Sequence, residues 1–159
     1  MRMLAIDLDA LGDTRHLWRD FVDDAARRFA SIAVLEPASL PEDRAAAAAE
    51  LDRWADAGVG DWRNALARFA EDRAPVYLRP SAEASASLRA LANAGVRIGV
   101  FTDAPEELAR IALTQLGAAR HVTAVETGAG ARERLLERLG GEAAVAASRE
   151  DLLRLAAGS

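Results

Sequence analysis

The stretch Met3-Leu4-Ala5-Ile6-Asp7-Leu8-Asp9 runs four apolar residues into two aspartates that stand one residue apart. A continuous apolar run without alternation is typical of a strand buried on both faces, as in a parallel sheet. Both aspartates would then lie at the carboxyl end of the strand, where open α/β sheets place their sites, and on the same side of an extended chain. Two carboxylates this close repel each other. The pattern therefore predicts either a hard cation such as magnesium between them, or two solvated loop acids that cap the next helix.

Length and composition limit the classes of protein that remain. A chain of 159 residues is expected to form one domain, or one domain with an insert. The net charge of −5 argues against a general nucleic-acid binder. Cysteine is absent from the sequence, which excludes disulfides, thiol catalysis and zinc–thiolate sites. All 20 basic residues are arginine, so no lysine can supply a compact point charge.

The apolar segments are short. None approaches the ~20 residues that span a bilayer, and the amino terminus enters the first predicted strand at once. We therefore expect a soluble, cytoplasmic protein that does not bind membranes.

The order of predicted elements indicates the fold class. From residue 96 onward, strands alternate with helices, which is the signature of a parallel sheet with crossover helices. The segment between the first two strands is helical apart from its loops and an extended connector predicted at residues 75–80. We therefore predict an α/β fold with a Rossmann-like three-layer parallel sheet of about four strands. Residues 1–14 and 80–159 would form the core, and residues 15–79 a small helical cap insert over the carboxyl edge.

A second apolar run ends in polar residues at Val100-Phe101-Thr102-Asp103. A hydroxyl at a strand end, next to the amino terminus of a helix, is suited to an anion, so Thr102 could bind a phosphate oxygen. Alternatively, Asp103 and Glu106 form a capping box around Pro105 at the start of the next helix. Capping explains the two acids but does not require a hydroxyl at residue 102.

The two motifs together resemble those of the haloacid dehalogenase-like (HAD) superfamily, in its branch with a helical cap between the first two motifs. The resemblance implies that Asp7 is the catalytic nucleophile and that Asp9 is the acid/base. It implies that Thr102, with the adjacent Asp103, binds phosphate. It further implies a magnesium ion held by Asp7, Asp9 and a late acidic residue, for which Asp151 is the candidate.

The later motifs depart from the family pattern. The family's third motif needs a lysine, and its position falls near Glu126, where a glutamate would invert the local charge. Arg132 or Arg134 could reach in instead, although both are expected to be solvated helix residues. In the fourth motif, Ala146 and Ala147 stand where Gly-Asp would stand. The arginines of the insert, Arg44 among them, are predicted to form a solvated face.

Two hypotheses follow from this pattern. In the first, the protein hydrolyses a small phosphorylated metabolite through an aspartyl-phosphate on Asp7, with magnesium. In the second, it is a non-catalytic descendant of the fold that serves as a binding or interaction protein. The first two motifs favour the first hypothesis, and the missing lysine and the alanine at residue 147 favour the second.

Overall fold

The computed structural model describes residues 1–158, and its centre is a four-stranded parallel sheet. The strands run in the order β3-β2-β1-β4. Their bounds are β1 Met3–Asp7, β2 Arg97–Thr102, β3 Ala124–Thr127 and β4 Ala144–Ala146. The predicted α/β class and the parallel sheet of four strands are confirmed.

Helices connect these strands. Three of them, α2 Arg15–Arg28, α3 Arg44–Asp56 and α4 Trp62–Tyr77, lie in the predicted insert, and a 3-10 turn spans Pro37–Ser39. The remaining helices are α1 Leu8–Leu11, α5 Ala82–Asn93, α6 Glu106–Gln115, α7 Ala131–Leu139 and α8 Arg149–Ala157, with a second 3-10 turn at Ala119–His121. No helix in residues 1–158 has the length and apolar character needed to cross a membrane.

The sheet is covered on both faces, which gives the three layers. Helix α7 packs on one face, and its Leu135 joins a small apolar cluster with Ala5 and Phe101. The approach is close at Gly99, where an added Cβ would lie 2.6 Å from Leu135 Cδ1. Helices α5, α6 and α8 contribute buried residues to a larger cluster with Leu4 and Ile6.

The insert helices share that larger cluster. Phe21 of α2 and Leu66 of α4 are fully buried in it, together with the sheet residues Ile6 and Val100. Trp18, Phe21 and Trp62 also form tilted or edge-on aromatic contacts within it, at centroid distances of 5.8–6.5 Å. The apolar core is therefore continuous between the insert and the sheet.

The predicted extended connector at residues 75–80 is wrong at its start, because Pro75 lies inside α4. Proline at this position lacks the N–H of an internal helical bond and favours a break. Packing outweighs that preference: Ala74 and Leu78 are each 1% exposed, and the Leu78 amide donates to the Ala74 carbonyl at 2.8 Å. The helix therefore continues to Tyr77, whose hydroxyl donates to Asp20 of α2.

Candidate functional site

The first two strands bring their polar ends together. In the parallel register of β1 and β2, Asp7 lies opposite Phe101, so Thr102 and Asp103 follow directly beside it. The carboxyl ends of parallel strands meet at one edge of a sheet, which is where α/β folds form their crevices. Asp7 and Thr102 therefore end neighbouring strands at the same edge of the sheet.

Asp7 and Asp9 do not share an extended chain, and that part of the prediction is wrong. Asp7 caps the amino terminus of α1, and its Oδ1 accepts from the Asp9 amide at 3.0 Å. Asp9 lies in the first turn of α1. The chain turns early because Leu8 and Leu11, 0% and 2% exposed, are both buried by the short helix.

Asp9 is held by its own chain. Its Oδ1 accepts from the Thr14 amide at 3.0 Å and from the Thr14 hydroxyl at 2.7 Å. Its Oδ2 accepts from Arg44 Nη2 at 3.1 Å. Both carboxylate oxygens of Asp9 are therefore engaged.

Burial raises the pKa of Asp7, and the neighbouring charges of Asp9 and Asp103 raise it further. The amide hydrogen bond from Asp9 and the charge of Arg44 act in the opposite direction. Asp7 Oδ1 has the Asp9 amide as its donor, and within residues 1–158 the structure gives Oδ2 none.

The ends of β1 and β2, with Asp7, Asp9, Thr102 and Asp103, enclose a crevice at this edge of the sheet. Thr102 and Asp103 form its side at β2. Thr102 is 3% exposed, and its hydroxyl accepts from the Ala104 amide at 3.2 Å. Asp103 does not cap α6, whose N-cap is Pro105 without a side-chain hydrogen bond. The capping-box interpretation is therefore wrong, because the Asp103 carboxylate turns to Arg44 instead.

Arg44 is a residue of the candidate site that sequence reasoning missed. It was predicted to lie on a solvated face, but it is 5% exposed. Its Nε donates to Asp103 Oδ1 at 2.9 Å and its amide to Asp103 Oδ2 at 3.0 Å. Its Nη1 donates to Thr14 Oγ1 at 2.5 Å, and its Nη2 to Asp9 Oδ2 and, at 3.4 Å, to Thr102 Oγ1. The partners lie 30 to 59 positions away in the chain, so no local pattern marks the contact.

The same arginine governs the ionisation of Asp103. Burial disfavours the charged carboxylate of Asp103, but the charge and hydrogen bonds of Arg44 outweigh it, and the pKa of Asp103 is lowered. Asp103 is therefore held as an anion in the crevice.

The candidate metal residues do not form a magnesium site. Asp151 turns back on its own segment, where its carboxylate accepts from the Ala147 amide at 3.1 Å and from Arg154 at 3.2 Å. The Arg154 hydrogen bond lowers the pKa of Asp151. Across residues 1–158, no group of three or more Asp, Glu, His or Cys residues lies close enough together to hold a metal ion. The residues present therefore do not fit the divalent cation that the resemblance implies.

An arginine, rather than a carboxylate, links the fourth-motif region to the first motif. Arg149, the first residue of α8, donates to the carbonyls of Ala10 and Leu11 at 2.6 and 2.8 Å. This contact fixes the start of α8 against the end of α1.

At the position expected for lysine, Glu126 lies on β3 opposite Phe101. Its carboxylate binds Arg138 at 3.0 Å and Arg134 at 3.2 Å, and these hydrogen bonds lower the pKa of Glu126. Arg134 also donates to the carbonyl of Thr127 at 2.6 Å. Among the described residues, neither Glu126 nor Arg134 forms a hydrogen bond or ion pair with Asp7.

A cavity of about 850 Å³ opens beside the crevice, between α2 and the loop that carries the first 3-10 turn. Arg44, Asp9 and Asp103 line its inner end. Its lining also includes Arg15, which is paired with Asp13, and Arg19, for which the structure of residues 1–158 gives no ion pair. The cavity therefore opens onto the crevice at these charged residues, while Trp18, Val22 and Leu40 give the rest of its wall an apolar character.

Comparison with known proteins agrees with the fold. No family model and no curated protein matches the sequence. Among solved structures, the chain is similar to a protein of Thermotoga maritima assigned as a β-phosphoglucomutase. The TM-score is 0.53 at 14% identity, over 99% of this chain and 82% of the other. At this identity the likeness shows the fold alone, an α/β fold with a parallel sheet.

Proposed function

We propose that this chain is a non-catalytic HAD-fold binding protein, which holds a small phosphorylated metabolite without hydrolysing it. The observation that carries the proposal is the state of Asp9. An acid/base must exchange a proton with a reacting oxygen at hydrogen-bond distance. Both oxygens of Asp9 are instead engaged by Thr14 and Arg44.

The missing electrostatic groups support the same proposal. Phosphoryl transfer depends on neutralising charge around the transferred group, and individual terms of this kind are often worth about 3 kcal/mol. Here the third-motif position carries Glu126, and Asp151 is committed to Arg154. Asp7, Asp9 and Asp103 would face a phosphoryl group, and the arginine hydrogen-bonded among them, Arg44, already binds two of the three.

In this proposal, residues 1–14 and 80–159 form the core and residues 15–79 act as a cap. The cap supplies Arg44 from α3 and the cavity wall from α2. Arg19, on that wall and without an ion pair among residues 1–158, is the group suited to a ligand phosphate. The phosphorylated ligand class rests on the HAD resemblance and on the name of the Thermotoga maritima neighbour.

The experiment combines turnover and binding in one panel of sugar phosphates and other phosphomonoesters. We expect no phosphate release with or without magnesium, and a thermal shift with at least one member of the panel. Arg19→Ala should remove that shift. Arg89→Ala, which deletes an exposed arginine on α5 instead, should keep it. A panel without any ligand-induced shift would contradict the binding function.

A second candidate function is phosphomonoester hydrolysis through Asp7, and two observations favour it. Asp7 Oδ2 is without a donor in the described structure, as a nucleophile requires, and the Thr102 hydroxyl accepts hydrogen bonds but has its proton uncommitted. Asp7 would attack phosphorus and release the alcohol, which takes a proton from solvent. Water would then hydrolyse the aspartyl-phosphate to phosphate.

The variant Asp7→Asn separates the two candidates, because it removes the nucleophile and keeps an acceptor for the Asp9 amide. Phosphate release by the wild-type chain that disappears in Asp7→Asn and persists in Asp13→Asn would establish hydrolysis. Asp13 is a suitable control because it lies in the same loop but is paired with Arg15 outside the crevice.

A further inference from the structure

Arg44 enters the crevice as a buried cation. It is the first residue of α3, and its side chain crosses from the insert to the ends of β1 and β2. Each of its three side-chain nitrogens donates to an oxygen of the crevice, and its amide donates to Asp103 as well. A guanidinium with its fork of donors can satisfy several separated oxygens at once, as these contacts show.

The oxygens that bind Arg44 are the ones a metal ion would need. Hard divalent cations take carboxylate and hydroxyl oxygens as ligands. Asp9 Oδ2 and Asp103 Oδ1, the two carboxylate oxygens that meet in the crevice, both accept from the guanidinium. The guanidinium and a divalent cation would occupy the same space with the same sign of charge, so each excludes the other.

We propose that Arg44 is the resident cation of this crevice and closes it to divalent metal ions. The inference rests on the proposed non-catalytic function and gives a physical cause for it: of the carboxylates that the HAD resemblance assigns to magnesium, Asp9 is paired with Arg44, a side chain of the insert. It also gives Arg44 a second role, since the same contacts fasten α3 to the strand ends.

One consequence distinguishes this proposal from a merely structural ion pair. Removing the guanidinium frees Asp9 Oδ2 and Asp103 Oδ1, which both accept from Arg44, and takes away the cation that is hydrogen-bonded to both carboxylates. Such a set of carboxylates should acquire affinity for a divalent cation. A small soluble guanidinium should compete for the same place.

The test uses Mn²⁺, followed directly by electron paramagnetic resonance of the free ion, with the full-length chain and no phosphoester. We expect the wild-type chain to leave 1 mM Mn²⁺ free. Arg44→Ala should bind one Mn²⁺ per chain at least ten-fold more tightly than wild type. Methylguanidinium should displace that ion.

Asp103→Asn in the Arg44→Ala background should weaken Mn²⁺ binding about ten-fold. Arg53→Ala removes the same charge from an exposed position on the same helix and should behave as wild type.

Circular dichroism verifies folding of each variant, and Arg44→Gln, which retains much of the stem, replaces Arg44→Ala if the latter does not fold. Mn²⁺ binding by the wild-type chain as tight as that of the Arg44 variant would overturn the inference, as would a folded Arg44 variant that binds none. Neither outcome depends on turnover. Phosphate release by the wild-type chain in EDTA would instead overturn the proposed function and leave the inference standing.

Discussion

Two clusters of arginine and carboxylate near the strand ends differ mainly in how far the arginine is buried. In the crevice, Arg44 is 5% exposed and binds Asp9 and Asp103. On β3, Glu126 binds Arg134 and Arg138, whose side chains are 46% and 52% exposed. Water screens the second cluster and is excluded from the Arg44 guanidinium in the first. Similar pairings should therefore make very different contributions to stability.

The largest effect is expected for Arg44→Met, which keeps the apolar stem of the side chain, deletes its charge and so tests whether burial separates the two clusters. Because the acids of the crevice lose their countercharge, we expect the free energy of unfolding to fall by about 3 kcal/mol. Urea unfolding at pH 7 measures the loss. The matched change on β3, Arg138→Met, should cost at most about 0.5 kcal/mol. Equal losses would show that burial does not separate the two clusters.

Asp103→Asn tests the crevice from the acid side. We expect a loss of about 1.5 kcal/mol at pH 7, because the ion pair with Arg44 is replaced by hydrogen bonding of the guanidinium to a neutral amide. The folded-state pKa of Asp103 is lowered, so its stabilising contribution is present above the unfolded pKa of ~3.9 and is lost as the pH falls through the folded value. From pH 7 downward, the free energy of unfolding should therefore fall less steeply in the variant than in the wild type. Parallel pH profiles of the two proteins would contradict this assignment.

Asp7→Asn should act in the opposite direction. The folded-state pKa of Asp7 is raised, so its contribution to stability is present below the unfolded pKa and is lost as the pH rises through the folded value. At pH 7, replacing the carboxylate by a neutral amide should therefore raise the free energy of unfolding by about 1 kcal/mol, a gain that single stabilising substitutions often reach. The gain should vanish near pH 3, where the side chain at this position is uncharged in the wild type as well as in the variant. A loss of stability at pH 7 would show that the carboxylate of Asp7 is favourable to the fold.

The smallest effect is expected for Glu126→Gln. Its partners are exposed, so the free energy of unfolding should fall by about 0.5 kcal/mol at low salt. In 1 M NaCl, where the Debye length is ~3 Å, the difference should disappear. Salt-independent loss would mean that the β3 cluster is shielded from water, like the crevice.

Sequence reasoning found the strands and the place of the site because both depend on local signals. An apolar run identifies β1, and parallel connectivity alone brings Asp7 and Thr102 to one edge. It missed Arg44 because burial of that side chain depends on how α3 packs over the sheet, 58 residues from Thr102. An arginine at the exposed start of a helix and one that crosses into a crevice look the same in the sequence.

The errors at Asp9 and Pro75 have one cause, which is tertiary packing outweighing local preference. The acidic pair was expected on an extended chain, but burial of Leu8 and Leu11 folds the segment into α1. Pro75 was expected to end α4, but Ala74 and Leu78 are packed in the core. Hydrophobic period alone does not resolve such short segments.

The continuous apolar core limits how the molecule can open. If α2 and α4 swung away from the sheet as a rigid unit, the apolar side chains that join them to the sheet residues of this core would enter water, at a cost of about 2 kcal/mol for each large side chain. A hinge that opens and closes freely is therefore disfavoured. A small molecule should therefore enter and leave the crevice through the permanent opening between α2 and the loop at Leu40, without a domain movement of the insert.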